Sequence, residues 1–445
     1  VPDRPRLLYL AYYFPPSRAS GVYRARATAN YFAEAGWDVT VLRAPDRFFT
    51  DVVGSLDESL VATVDPRIAT VQPHLDFFPW EQDVRRFGAF RGNFPFLAKR
   101  VHAWKQRFKF PDVYNSWGDS AVEEGLRLHR ERPFDLVLAT GNPFSAFAAA
   151  YRLGRRTGRP YIVDYRDSWT LDLFTNEDAF PPGHRAWRWE RRILEHAAGA
   201  LFVNEALRTW HADRYPKAAD RMHVVLNGWD PDVLDSDVLD TGGPAPGADR
   251  PLAYAYVGTI TKVQPVKPLF DGFARMAADG RRPGARLDLY GHLGFFAGSQ
   301  AVLRTEFGLD DGVPDGIAYR GPVAKADIGR AYAESDVLVF LAGGSKYVTS
   351  GKVFEYMATG KPIVSVHEPG CAAEELLAGY PLWFAPGSLD PVDIARAMAE
   401  AGDAARRADP AIAAKAREYA ASFTRYRALE SFEARCRAIV EGGRR

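Results

Sequence analysis

Apolar positions along this chain switch between the two-residue period of strands and the wider spacing of helices. Arg6 to Tyr13 is an apolar, aromatic run of strand length, and Pro15-Pro16 breaks it. From Val22, the residues Val22, Ala25, Ala29 and Phe32 recur at helical spacing, Gly36 closes that helix, and Val39–Leu42 is the next strand. A strand–helix–strand opening of this kind predicts a parallel sheet covered by helices on both faces. The alternation continues with a strand over Phe134–Ala139, a helix over Ser145–Arg156, and strands at Tyr161–Val163, Ala200–Val203 and His223–Leu226.

Residues 230–250 are polar and rich in Pro and Gly, which marks a linker. A second alternation follows. Strands are expected at Leu252–Val257, Leu287–Tyr290, Ile317–Tyr319, Val337–Phe340 and Ile363–Val366, with a helix over Pro268–Ala277 and helices alone from Ala411 onward. The fold class is therefore α/β, with two doubly wound, Rossmann-like domains. Residues 1–230 form the first, 231–250 a linker, 251–415 the second, and 416–445 terminal helices that pack back toward the first. Ligands of such sheets bind at the carboxyl ends of the strands, here expected in the cleft between domains.

Composition narrows the functional classes. The 445 residues carry 57 Lys+Arg against 56 Asp+Glu, so the net charge of +1 argues against coating a polyanion, and no nucleic acid is expected as a partner. Cys371 and Cys436 are the two cysteines, with no metal-ligand spacing, which favours a reducing, cytoplasmic setting. No apolar run reaches the roughly 18 residues of a membrane span, and Leu7–Leu10 is too short a core for a signal peptide. Zinc-protease, serine-hydrolase and P-loop motifs are absent, as is a GxGxxG after the first strand. Asp235-Ser-Asp237 has the form of a metal–diphosphate motif, but it lies in the linker with no strand before it.

The strongest local chemistry is Ser350-Gly-Lys-Val-Phe-Glu355, where a small-residue loop opens a helix behind a strand. Glycine admits a ligand close to the backbone, and a helix N-terminus offers unpaired N–H groups to phosphate. Lys352 adds charge, and Glu355, about a turn on, is placed to accept ribose hydroxyls. A second cluster, Asp164-Tyr-Arg-Asp-Ser-Trp169, projects two carboxylates and Arg166 from a strand end. Carboxylates there could orient an acceptor hydroxyl or stabilise positive charge at an anomeric carbon, and an Asp–Arg cap of the strand is the structural alternative. Arg24 is a phosphate-side or solvated helix residue, and His292 is a base- or sugar-bordering or structural one.

These pieces, in order, resemble retaining glycosyltransferases of family 4, which have the GT-B fold. The resemblance rests on Tyr13-Phe-Pro-Pro16 through Gly21 to Val41, Thr140-Gly-Asn-Pro-Phe-Ser145, Asp164–Trp169, Asn227-Gly228 with Asp230, Tyr256-Val-Gly-Thr-Ile260 and the Ser350–Ile363 stretch. It implies transfer of a sugar from a nucleotide diphosphate, UDP- or GDP-linked, to an acceptor hydroxyl or amine. It also implies no cofactor and no metal. Retention would use the leaving phosphate itself as base. Gly21 would then lie against the diphosphate, together with Gly258 and Lys267, or Lys262 as the competing lysine. Ser350, Gly351 and Lys352 would line the helix N-terminus, and Glu355 would hold the ribose. Asp167, with Asp164 as second choice, would be the polar residue at the sugar, and Arg24, Arg166 and Asn142 would lie on the acceptor or phosphate side. Two positions depart from the family pattern: Thr259 replaces an arginine and Tyr347 a glutamate. They leave open a silent sugar-nucleotide binder, and within the fold a nucleotide-sugar epimerase or phosphorylase is the other alternative.

Between Asp83 and Asp112 no acidic residue occurs, while Arg85, Arg86, Arg91, Lys99, Arg100, Lys105, Arg107 and Lys109 interleave with aromatics. This insertion, 84–111, suits peripheral contact with an anionic membrane, or an insertion packed on its own domain.

Overall fold

The computed structural model describes residues 4–19, 21–53, 56–76, 109–232, 250–280, 284–294, 297–309, 312–323 and 327–443, with isolated positions at 96, 97, 100, 101, 104 and 234. Asp235-Ser-Asp237 and most of the 84–111 insertion lie outside the described residues. The chain divides into two units. The first holds Val1–Asp172, Glu177–Val225 and Leu429–Arg445; the second holds Leu173–Asn176 and Leu226–Ala428.

In the first unit seven parallel strands are β1 (Arg6–Leu10), β2 (Asp38–Leu42), β3 (Ala69–Val71), β4 (Leu136–Gly141), β5 (Tyr161–Tyr165), β6 (Gly199–Phe202) and β7 (Met222–Val224). Their order is β3-β2-β1-β4-β5-β6-β7, so the winding reverses between β1 and β4. β4 and β5 are buried along their whole length, as strands covered on both faces must be. The first helix, Val22–Glu34, ends as expected at Gly36. Its φ of 90° lets Gly36 donate to Ala33 and Trp37 to Phe32, which satisfies the last carbonyls.

The second unit repeats the plan with β8 (Ala253–Val257), β9 (Arg286–Tyr290), β10 (Ile317–Gly321), β11 (Val337–Leu341), β12 (Ile363–Val366) and β13 (Trp383–Phe384), in the order β10-β9-β8-β11-β12-β13. Side chains alternate across it. Tyr254, Tyr256, Val337 and Val339 enter the core shared with Leu269, Phe273 and Met398, while Ala255, Val257, Leu338 and Phe340 enter the core shared with Phe354 and Met357. The helix expected over Pro268–Ala277 runs from Val266 to Ala278. Strands β3 and β13 were not expected. Both are edge strands of three and two residues, with no residue fully buried, so neither leaves an apolar run in the sequence.

Candidate functional site

In both sheets the expected site residues lie on loops that leave the carboxyl ends of strands and on the helices those loops lead into, the region where α/β sheets bind ligands.

In the first unit, loops after β1, β4 and β5 meet at Arg166. Its Nη2 lies 3.1 Å from Asp167 Oδ2 and donates to the Asn142 carbonyl at 3.4 Å. Gly21 caps the first helix directly beneath it: a Cβ on Gly21 would stand 2.5 Å from the guanidinium carbon of Arg166. Gly21, Asn142, Arg166 and Asp167 thus come together, and Asp167 keeps 38% of its side chain exposed. Asp164 and Arg24 turn inward instead. Arg24 grips both oxygens of Asp164, at 2.8 and 2.7 Å, and donates to the Val225 carbonyl at 2.9 Å, with both side chains buried. The Asp–Arg pair weighed for the strand end therefore exists, but its arginine comes from the first helix and not from the neighbouring Arg166. The loop carrying Asp167 is fixed further on by Glu190, a wholly buried carboxylate that accepts from Tyr165, Thr170 and Tyr215.

In the second unit the helix Gly351–Ala358 opens at Ser350, whose hydroxyl accepts from the Lys352 N–H at 3.3 Å. No atom stands within 4 Å of where a Gly351 Cβ would be, so this first turn is open to a ligand. Lys352 Nζ sits 3.2 Å from Glu355 Oε2, and the same oxygen accepts from the buried Tyr332 hydroxyl at 2.8 Å. Burial and the Glu355 charge push the Tyr332 phenol well up, so it stays a donor.

The turn after β8 is equally fixed. Tyr356, one residue past Glu355, receives the Val257 N–H at 2.8 Å and donates to the Val257 carbonyl at 3.1 Å. Tyr256 donates to the Thr259 carbonyl at 2.8 Å, and Gln264 reaches both the Tyr256 hydroxyl and the Leu341 carbonyl. Gly291, at a φ of 137°, approaches so closely that a Cβ there would fall 1.8 Å from the Gly258 carbonyl oxygen. His292 is exposed, and its part in this contact is a backbone one: its carbonyl accepts from Ile260. Of the two competing lysines, Lys262 pairs with Glu306 at 3.2 Å. Lys267 is exposed on the first turn of the helix Val266–Ala278 and has no carboxylate partner among the described residues. Tyr347, at the departing position, is buried, and its N–H donates to Ser345.

Sequence reasoning did not find Tyr332, Tyr356, Gln264 or Glu190. Tyr356 carries a local signal, standing beside Glu355 in the same helix; the other three act over separations that only the fold reveals.

Comparison with known proteins decides the family. A glycosyl transferase 4-like domain matches residues 21–228, and the glycosyl transferases group 1 domain matches residues 252–402. The chain is a family-4-like GT-B glycosyltransferase. Solved structures share the fold over nearly the full length of both chains. A glycosyltransferase from Rickettsia africae ESF-5 superposes with a TM-score of 0.65 at 12% identity, covering 98% of this chain and 99% of that one. Sucrose-phosphate synthase from Thermosynechococcus elongatus gives 0.60 at 16% identity, covering 99% of each. Anabaena HepE, in complex with UDP and glucose, gives 0.58 at 14% identity, covering 98% and 100%. Among curated proteins no sequence matches significantly. The expected GT-B architecture is thus the observed one, and each glycosyltransferase domain carries one of the two clusters described above.

Proposed function

We propose that the protein transfers a sugar from a nucleotide diphosphate to an acceptor hydroxyl or amine, with retention of anomeric configuration and without a metal. The observation that carries this reading is the open first turn at Gly351, with Lys352 and the Tyr332-held Glu355 beside it. Backbone N–H groups and an ammonium suit a diphosphate, and a carboxylate fixed by a phenol suits two ribose hydroxyls. Lys267 is the diphosphate lysine in preference to Lys262, whose ammonium already has a carboxylate. Gly21 leaves room for the Arg166 guanidinium, which would face the donor phosphates, and Asp167 is the carboxylate at the sugar. The leaving phosphate takes the acceptor proton as the new glycosidic bond forms on the face the diphosphate leaves.

Because HepE is described in complex with UDP and with UDP-glucose, uridine donors are the first to test. Ligand at about 100 times its dissociation constant stabilises a protein by roughly 2.7 kcal/mol. A thermal shift with one nucleoside diphosphate, lost in Glu355→Ala, is expected. No shift with any nucleotide would overturn the donor-site assignment. Anomeric analysis of the product by NMR tests retention. The 84–111 stretch is the proposed contact with an anionic membrane surface. Liposome flotation that is the same with and without anionic lipid would remove it.

A further inference from the structure

At the edge of the first unit's sheet, two strands beyond β5, a cavity of about 230 Å³ opens beside β7. It has room for roughly eight waters' worth of volume, enough for a phosphoryl group with a small organic substituent. Its walls are β6, β7, the helix Glu205–Arg214 and the last helix, Arg425–Gly443, and its polar lining is Glu205, Arg208, His223, Ser431 and Arg435, over a floor that includes Phe432.

The charge in this cavity is unbalanced. Glu205 and Arg208 neutralise each other, with Arg208 Nε 2.8 and 2.9 Å from the two carboxylate oxygens. That leaves the Arg208 Nη1 as a donor, while the surplus charge is that of Arg435. Arg435 has no carboxylate partner among the described residues. His223 faces both guanidinium groups. Burial, then Arg435, then Arg208 hold its imidazole below the ordinary value. A cationic cavity that keeps its own histidine neutral is arranged for an anion, because an anion would reverse the field that His223 feels.

We propose that this cavity is a second ligand site, distinct from the donor and sugar clusters, and that it binds a phosphoryl dianion between Arg208, His223 and Arg435. Guanidinium groups suit the multiple oxygens of such an ion, and the Ser431 hydroxyl supplies a further donor. Since β7 belongs to the sheet and Arg435 to the last helix, a bound dianion would also fasten that helix to the sheet edge. Free phosphate and a phosphate monoester share this chemistry.

The test reads His223 itself, so that binding of phosphate at the donor cluster does not confuse it. Imidazole resonances, assigned with His223→Gln, are followed against pH in chloride, in inorganic phosphate and in glucose 6-phosphate at matched ionic strength. At least one phosphoryl ligand is expected to raise the His223 pKa by about one unit relative to chloride, as an opposite charge at contact does. The stronger of the two arms identifies the source. In Arg435→Ala the phosphoryl effect should disappear. In chloride that variant should itself raise the His223 pKa, which shows that the side chain was in place and the fold intact. Identical titrations in chloride and in both phosphoryl ligands would overturn the proposal. So would a phosphoryl effect that survives in both Arg208→Ala and Arg435→Ala, which would mean an adventitious ion only.

Discussion

Tyr332 donates its buried hydroxyl to Oε2 of Glu355 at 2.8 Å, across a sequence separation of 23 residues. The phenol comes from the helix Ile328–Ala333 and the carboxylate from the helix Gly351–Ala358, so one hydrogen bond ties the proposed ribose ligand to a second element. Tyr332→Phe removes that bond and keeps the ring. A hydrogen bond to a charged group is worth about 1.5–3 kcal/mol. The bond exists before any ligand arrives, so its loss should lower stability by about that amount in urea unfolding, and nucleoside diphosphate should bind more weakly by calorimetry because the carboxylate is no longer held in place. Unchanged affinity would mean that the phenol does not position Glu355 for the donor.

Asp164 and Asp167 lie three residues apart and should respond to mutation in opposite ways. Asp164→Ala strands a buried Arg24, and breaking a buried pair from one side costs about 3–5 kcal/mol. Asp167 is partly exposed beside Arg166, so Asp167→Asn should change stability by no more than about 0.5 kcal/mol. If Asp167 faces the reacting sugar, transfer should fall by about a hundred-fold or more, the scale of losing one electrostatic stabiliser. Urea unfolding and initial rates on both variants separate the roles. A fully active Asp167→Asn would move the sugar-side role elsewhere.

How much of this was legible beforehand follows from the range of each interaction. The central strands announce themselves because a strand buried on both faces is a continuous apolar run, as at Leu136–Ala139 and Val337–Leu341. The edge strands Ala69–Val71 and Trp383–Phe384 do not, since exposed positions carry no such constraint. Ser350, Gly351, Lys352 and Glu355 could be read because a helix start and its cap are local. The partner of Asp164 could not: Arg24 is 140 residues away, and its choice over the adjacent Arg166 depends on how the first helix lies against β5. Glu190 was equally hidden, since a carboxylate in an arginine-rich helix looks like a solvated one until Tyr165, Thr170 and Tyr215 converge on it.

Tyr356 holds the end of β8 with both functions of its hydroxyl, accepting from the Val257 N–H and donating to its carbonyl. Tyr356→Phe leaves a buried backbone N–H unpaired, which costs about 1–3 kcal/mol. The loss should concentrate at the Val257–Thr259 turn. Amide exchange there should accelerate more than in β12, whose hydrogen bonds do not involve Tyr356. Uniform acceleration across the second unit would mean the phenol serves global stability alone.

Lys361 links this network to pH. Its Nζ donates to the carbonyls of Tyr332, Ala333 and Ser335 at 2.6, 3.1 and 2.5 Å, at the end of the helix that carries Tyr332. Burial, partly opposed by Asp336, lowers its pKa from 10.5 to about 8. Between those values the unfolded chain holds the proton that the folded chain has released. Unfolding then takes up a proton, and stability rises with pH, by at most about 1.4 kcal/mol per pH unit. Lys361→Met has no proton to exchange. The wild-type minus variant difference in unfolding free energy should therefore grow in favour of the wild type from pH 8 to pH 9.5, and taking the difference cancels the thiols and phenols that titrate in both proteins. A flat difference over that range would mean that the three carbonyls hold the ammonium charged through it.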